Sequence, residues 1–453
     1  MRKKVLLLNP PSRGACRYSR DYFCSKTLKG SYAEHPLDLL FLSGILYERF
    51  DLETIDATVS GLAEDECLRR ILALVPDVII FISGSVSMHI DFPFLKKVKE
   101  CLPCVVMVGL GDIFFDLENF VANSWIDAVL LDFTSRDILR YLEGDRLAVT
   151  TMAFREDGKI VDKRLGIQEA DNNFSVPLPR HELFIHLPYT FPFARNLPFA
   201  TVLTDYGCPF HCFFCVYGRL GHKSRDLQSV FEELGYLSSL GVKEIFIKDQ
   251  TFGADYRRAM VLCGEMIKRR WNFSWTAFCR ANAVNKELLS AMKAAGCHTV
   301  IFGVESASDD FLEKYKCGLT SSEVVRAFTL ARAAGLRTAG TFILGFPGEG
   351  LSSARATIDF AIKLKCDFAA FNIFVDKPND KPHNMEYYDQ SGFESISGNG
   401  IISASQMRSL LSEANRRFYF RPGYIIRRFL GIKTMYEAKM LISNMFGIIK
   451  RII

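Results

Sequence analysis

The sequence predicts an α/β protein. An N-terminal, Rossmann-like doubly wound parallel sheet comes first, then a partial (β/α)6, TIM-like barrel, then a C-terminal helical segment. Two observations predict the sheets. Short apolar runs alternate with helical patterns over residues 1–145, the alternation of a parallel sheet covered by helices. Six further strand patterns with helices between them follow over 199–375. The stretch 401–453 then reads as helical throughout.

Lys4–Asn9 is a short apolar strand that ends in Asn-Pro-Pro. Its apolar run is too short for a secretory leader. Pro36–Phe50 is a helix, with Leu39, Leu40, Leu42, Ile45 and Leu46 on a broad apolar face and Pro36 in the first turn. Asp77–Gly84 and Cys104–Gly111 are buried strands that end in small residues, and Ile126–Leu131 is another. Ligands of such sheets sit beyond the carboxyl ends of the strands, where the strand order switches. Ser83, Gly84, Ser85, Gly109 and Gly111 fall at these ends.

Residues 146–195 are expected to be a surface linker, with a hairpin turning at Glu156–Gly158 and a Pro- and aromatic-rich crossing after it. The barrel is expected over 196–390. Its strands are Phe199–Thr204, Glu244–Lys248, Trp275–Arg280, Val300–Val304, Thr338–Leu344 and Phe368–Phe374. Leu227–Leu240 and Ser321–Ala334 read as helices between them, the second closed by Gly335. The region 391–453 is helical, with breaks at Gly423 and Gly431. Sites on such barrels gather at the carboxyl ends of the strands.

A chain of 453 residues with 49% hydrophobic content has room for two or three cores. No stretch has the eighteen apolar residues of a membrane span, and a cytoplasmic protein is expected. The net charge of +5 conceals an asymmetry. From Arg416 to Ile453 there are nine Lys or Arg against one acid, Glu437, a net +8, so the rest of the chain carries −3. This basic, apolar tail leaves two readings open: a helix docked on the barrel, or a peripheral contact with an anionic membrane. No nucleic-acid-binding module is recognisable, so no nucleic-acid partner is expected.

The most telling residues are Cys208, Cys212 and Cys215, in the run Tyr206–Cys215 directly after the first barrel strand. Three thiolates at this spacing can hold three irons of a [4Fe–4S] cluster, leaving the fourth iron open to another ligand. A structural zinc site wants four ligands, often as two C-x-x-C pairs. Thirteen cysteines scattered along a chain without a leader do not read as a disulfide framework. The pair Cys101 and Cys104 reads as two buried thiols rather than a redox couple.

This motif closely resembles that of the radical S-adenosylmethionine (SAM) enzymes, specifically those carrying an N-terminal cobalamin-binding domain. The resemblance is strong over roughly 195–375 and weak over 1–145. It implies that Phe214 packs near the adenosyl group and that Asp249 lies near the methionine amino group. It also implies that Arg280 meets the methionine carboxylate, that Glu305 accepts from the ribose hydroxyls, and that Ile343 and Gly345 line the adenine. Bland alternatives remain at this point: Asp249 as a turn acid, and Glu305 paired with an arginine such as Arg280. In the N-terminal domain, Ser83, Gly84, Gly109 and Gly111 are the expected corrinoid-facing residues. The match is incomplete there. No D-x-H-x-x-G motif precedes residue 150, with His35 and His89 in other contexts. Gly109–Asp112 and Leu131–Thr134 also depart from the family's runs, as does Asp376–Asp380 beyond the barrel.

The resemblance implies a [4Fe–4S] cluster, SAM and cobalamin as cofactors. It implies reductive cleavage of SAM to a 5′-deoxyadenosyl radical and methylation of an unactivated carbon. The alternatives are radical oxidation, cyclisation or rearrangement without cobalamin, and a cluster-bearing sensor or assembly protein. The implied partners are a small-molecule or lipid-like substrate and an electron donor such as flavodoxin or ferredoxin.

Overall fold

The computed structural model describes residues 2–13, 17–20, 25–26, 33–115, 117–163, 173–316, 318–374 and 399–452. Asp376–Asp380 lies outside the described residues.

The N-terminal sheet has seven strands: β1 Lys4–Asn9, β2 Asp51–Asp56, β3 Val78–Ile82, β4 Val106–Leu110, β5 Ala128–Leu130, β6 Met152–Glu156 and β7 Lys159–Asp162. Their order is β2-β1-β3-β4-β5-β6-β7. The first five are parallel and the last two antiparallel. Every residue of β3 is buried, as an unbroken Val/Ile/Phe run requires when both faces of a parallel sheet are covered. The order reverses between β1 and β3, which places a ligand crevice at their carboxyl ends.

Two expectations for this half change. The Glu156–Gly158 hairpin is not linker: β6 pairs with β5 and carries the sheet to Asp162. The crossing that follows is not on the surface either. Val176, Phe184, Tyr189, Phe191 and Ala194 are all buried, and Phe191 stacks on Phe246 of the barrel at 4.3 Å. So many aromatic side chains are too costly to leave in water, so one continuous apolar core joins the two domains. Helix Leu37–Tyr47 starts after Pro36, which stands at its N-cap, and is buried from Leu37 to Leu46. A helix apolar all round is buried all round. A Cβ at Gly44 would lie 2.5 Å from the Pro177 carbonyl oxygen, so only glycine lets the crossing pass.

The barrel strands are β8 Phe199–Val202, β11 Glu244–Ile247, β12 Ser274–Cys279, β13 Cys297–Glu305, β14 Arg337–Leu344 and β15 Phe368–Ile373. They run parallel in that order, and β8 and β15 are the two edges. A small hairpin, β9 Asp205–Gly207 and β10 His222–Arg225, follows β8. Two of the intervening helices begin on side-chain caps: Asp226 for Leu227–Ser239, and Thr320 with Glu323 as a capping box for Ser321–Ala333.

Three helices end the chain: Ala404–Tyr419, Pro422–Leu430 and Met435–Ile452. The first buries Met407, Leu410, Leu411, Ala414 and Phe418 in the barrel core. Gly423 is not a break. The chain turns at Phe420–Arg421, and Pro422 begins the next helix, where its missing N–H costs nothing. Gly431 does close that helix. No described helix is long and apolar enough to cross a membrane.

Candidate active site

The cysteine loop is closed at its base by the β9–β10 hairpin, with Gly207 opposite His222. Gly207 has φ 74, and a Cβ there would lie 1.8 Å from the Gly221 carbonyl oxygen, so the two sides of the loop meet only through glycine. The Cys208 amide donates to the Gly221 carbonyl at 3.2 Å, and the Cys215 amide to the Cys212 carbonyl at 3.0 Å. The loop is also tied across the barrel mouth, where the Phe213 amide donates to the Tyr315 carbonyl at 2.9 Å.

Cys208 is buried; Cys212 and Cys215 are half-buried. Burial raises the Cys215 thiol to about 11. Burial also raises Cys212, against the pull of the Lys316 and Arg280 charges. Ligation as thiolates therefore requires a positively charged metal group to displace their protons. Among the described residues no three His, Cys, Asp or Glu side chains converge on a single ion. Three thiols that do not converge on a point fit separate corners of a cluster better than one zinc ion.

Beside Cys212 runs a chain of contacts. Arg280, the residue after β12, donates Nη1 to the Cys212 Sγ at 3.5 Å and Nη2 to the Lys316 carbonyl at 2.8 Å. Lys316 Nζ donates to Glu305 Oε1 at 2.7 Å. Glu305 ends β13 at φ 67, where the pairing with β14 shifts register after Gly303. A bulge re-aims a side chain, and left-handed backbone in a non-glycine residue is tolerated where surrounding structure enforces it. Gly303 lies beneath this pair: a Cβ there would fall 2.4 Å from Lys316 Nζ and 2.5 Å from Glu305 Oε1, so it would displace their tips. Glu305 thus pairs with Lys316, not with Arg280. Lys316 was not anticipated: it is one of 56 Lys and Arg residues, and nothing local marks it.

Phe214 and Ile343 belong to a second group, an aromatic cluster with Phe311, Tyr315, Phe346 and Phe374. Phe214 lies 6.3 Å from Phe346. Gly345 has φ 83. Its amide donates to Glu349 Oε2 at 2.6 Å, and a Cβ would lie 2.3 Å from Met407 Cε.

Asp249 stands apart from both groups. Its carboxylate accepts from the Thr204 amide at 2.6 Å, the Asp205 amide at 3.0 Å and the Thr204 hydroxyl. It is fully buried. Burial first, then the Asp205 charge, raises it to about 7.

The N-terminal residues are committed to their own domain. Ser83 Oγ donates to Asp91 at 2.8 Å. Gly109 packs beneath the Phe114 ring, and a Cβ on Gly111 would lie 1.9 Å from the Ser83 carbonyl oxygen. Gly84 donates its amide to Ser87 Oγ at 3.2 Å. At the switch point lies a crevice lined by Asn9, Arg20, His35, Asp56, Thr58 and, from the barrel, Lys248. Arg20 reaches into it with a two-pronged bond to Asp91, at 2.9 and 2.7 Å, and bonds to Asn9 and Thr58. His35 is buried between Tyr189 and Thr201, and its burial holds the ring neutral.

Residues 202–361 match the model of the radical SAM superfamily. An uncharacterized methyltransferase of Pyrococcus horikoshii, PH0819, is 30% identical over 447 residues, 94% of each chain. The anaerobic magnesium-protoporphyrin IX monomethyl ester cyclase of Rubrivivax gelatinosus is 25% identical over 83% of this chain and 71% of its own. Among solved structures, TsrM from Kitasatospora setae with cobalamin and a [4Fe–4S] cluster bound superposes with TM-score 0.64 at 20% identity, over 82% of this chain and 75% of that one. OxsB with aqua-cobalamin and SAM bound gives 0.62 at 19% identity, over 79% and 51%. These two share the fold of both domains. With the three cysteines at the mouth of the barrel and 30% identity sustained along nearly the whole of two chains, this protein belongs to the radical SAM superfamily of [4Fe–4S]- and SAM-dependent enzymes.

Proposed function

We propose that this enzyme methylates an unactivated carbon of a small molecule, with a corrinoid in the interdomain crevice as methyl carrier. The observation that carries the radical half is the contiguous line from Cys212 through Arg280 and Lys316 to Glu305. Cys208, Cys212 and Cys215 would hold the cluster, which would supply one-electron reduction of SAM at the barrel mouth. Around it the protein positions and excludes water. Arg280 holds the methionine carboxylate by a charge-assisted bond. Glu305 accepts from the ribose hydroxyls, with Lys316 keeping its carboxylate ionised. Phe214 and Ile343 pack the adenosyl group, and the backbone at Gly345 faces the adenine. Asp249 acts through the Thr204–Asp205 turn that leads into the cysteine loop. The electron comes from flavodoxin or ferredoxin.

A corrinoid's amide-rich rim and phosphate would meet the polar members of the crevice lining, Asn9, Arg20, Thr58 and Lys248. Each is bonded to another protein group, Asn9 to Asp56, Thr58 to Pro10, Arg20 to Asp91 and Lys248 to Glu34, and would exchange that bond for one to the corrinoid; the reading also places Ser83, Gly84, Gly109 and Gly111 beside it. When bound, the corrinoid supplies a transferable methyl group. The methyltransferase name of the Pyrococcus relative supports this reading.

The test is anaerobic incubation of the cobalamin-loaded, reconstituted enzyme with SAM and dithionite. Expected products are 5′-deoxyadenosine and S-adenosylhomocysteine. The first without the second would favour the other reading, radical oxidation or cyclisation without methyl transfer. Arg20 filling part of the crevice and the resemblance to the cyclase support that alternative.

A further inference from the structure

The last two helices close the floor of the barrel. Tyr424 Oη donates to the Asp367 carbonyl just before β15 at 2.9 Å. Glu437 pairs with Arg195 and with Arg337, the first residue of β14. The eight-residue β14 spans roughly 25 Å, and its far end opens on the cysteine loop.

The outward faces of these helices are unusual. Ile426, Phe429 and Leu430, spaced as one helical face, are exposed, Leu430 to 83%. Met435, Ile442 and Met445 continue as an exposed stripe on the last helix, Met435 at 87%. Arg427, Lys433 and Lys439 are exposed among them. The one acid between Phe420 and Met445, Glu437, is buried and paired. Among the described residues from Phe420 to Met445, every exposed charge is therefore a cation, set among apolar side chains.

We propose that this floor is a docking surface for an anionic lipid bilayer. Apolar side chains of this size enter the headgroup boundary, and the surrounding cations meet lipid phosphates. A second copy of the chain would set like charges against one another. Nucleic acid would satisfy the cations and leave the apolar residues in water. The geometry also sets orientation. The floor lies on the membrane and the barrel mouth points away, so the contact localises the enzyme and does not deliver substrate to the cluster.

The test is flotation of the full chain with phosphatidylcholine vesicles, with and without a third of phosphatidylglycerol, alongside its mass in solution. Expected is binding to the anionic vesicles alone, weakened by salt. The Phe429→Ser/Leu430→Ser variant should lose roughly tenfold or more. Each of Lys433→Glu and Lys439→Glu should lose roughly fivefold or more. SAM cleavage should be unchanged in all of them. Absence of vesicle binding at low salt overturns the proposal, as does equal binding to neutral vesicles. A dimer abolished by the Phe429→Ser/Leu430→Ser change would replace it with self-association.

Discussion

Both halves of the molecule present the carboxyl edge of a parallel sheet to the space between them, yet the two edges differ in what their residues are doing. At the barrel edge, Arg280 bonds to a cysteine and, through Lys316, to Glu305, whose left-handed backbone is held at a bulge. At the N-terminal edge, Ser83, Gly84, Gly109 and Gly111 are satisfied by their own domain, and a buried arginine enters the crevice. The comparison teaches that a fold carries its crevice wherever it goes, whereas chemistry is visible only in residues held against their local preference.

The largest test of this contrast is Cys212→Ala. It should reduce 5′-deoxyadenosine formation to background in a reconstituted sample, because a cluster held by two thiolates is not retained. Retained activity would remove the barrel edge as the active site.

Next is Asp91→Ala at the other edge. It removes the carboxylate from the buried Arg20 guanidinium, which keeps only its bonds to neutral groups such as Asn9, Thr58 and Pro11 among those described, both side chains of the pair being wholly inaccessible. The cost should be about 3–5 kcal/mol, read from chemical denaturation. A change below about 1 kcal/mol would show that Arg20 swings out of the crevice.

Lys316→Met removes the partner of Glu305 without touching a cysteine. SAM cleavage should fall roughly tenfold to a hundredfold while iron content stays the same. Equal loss of iron would reassign the Lys316 side chain to holding the cysteine loop.

Gly345→Ala forces a side chain into left-handed backbone and against Met407. It should cost about 1–3 kcal/mol in thermal unfolding.

The smallest effect concerns Asp249, raised from 3.8 to about 7. A carboxyl raised by folding is favoured in its protonated form. Its stability contribution is full below about pH 4 and is lost as pH rises through about 7. Asp249→Asn should flatten the pH dependence of stability over that window. An unchanged profile would mean that the three hydrogen bonds from Thr204 and Asp205 compensate fully for burial.

Much of the barrel was legible in the sequence because each strand is a short, mostly apolar segment between turn signals, and its strands fell within three residues of the expected bounds. The 146–195 region was misread because a hairpin looks the same whether it stands alone or extends a sheet, and an aromatic crossing looks the same on a surface or between two cores. Lys316 was invisible because its partner is eleven residues away across a helix, with no repeating pattern to mark it.

By itself, then, the sequence determined the alternating architecture, the three thiols and the basic bias of the tail. These rest on local periodicity and ligand spacing, which need no distant contacts. Only the tertiary structure decided that Glu305 meets Lys316, that Arg20 enters the crevice, and that the cationic helices lie on the floor and not at the mouth. Each depends on which surfaces the core brings together, and a buried charge takes whichever partner the packing places within reach.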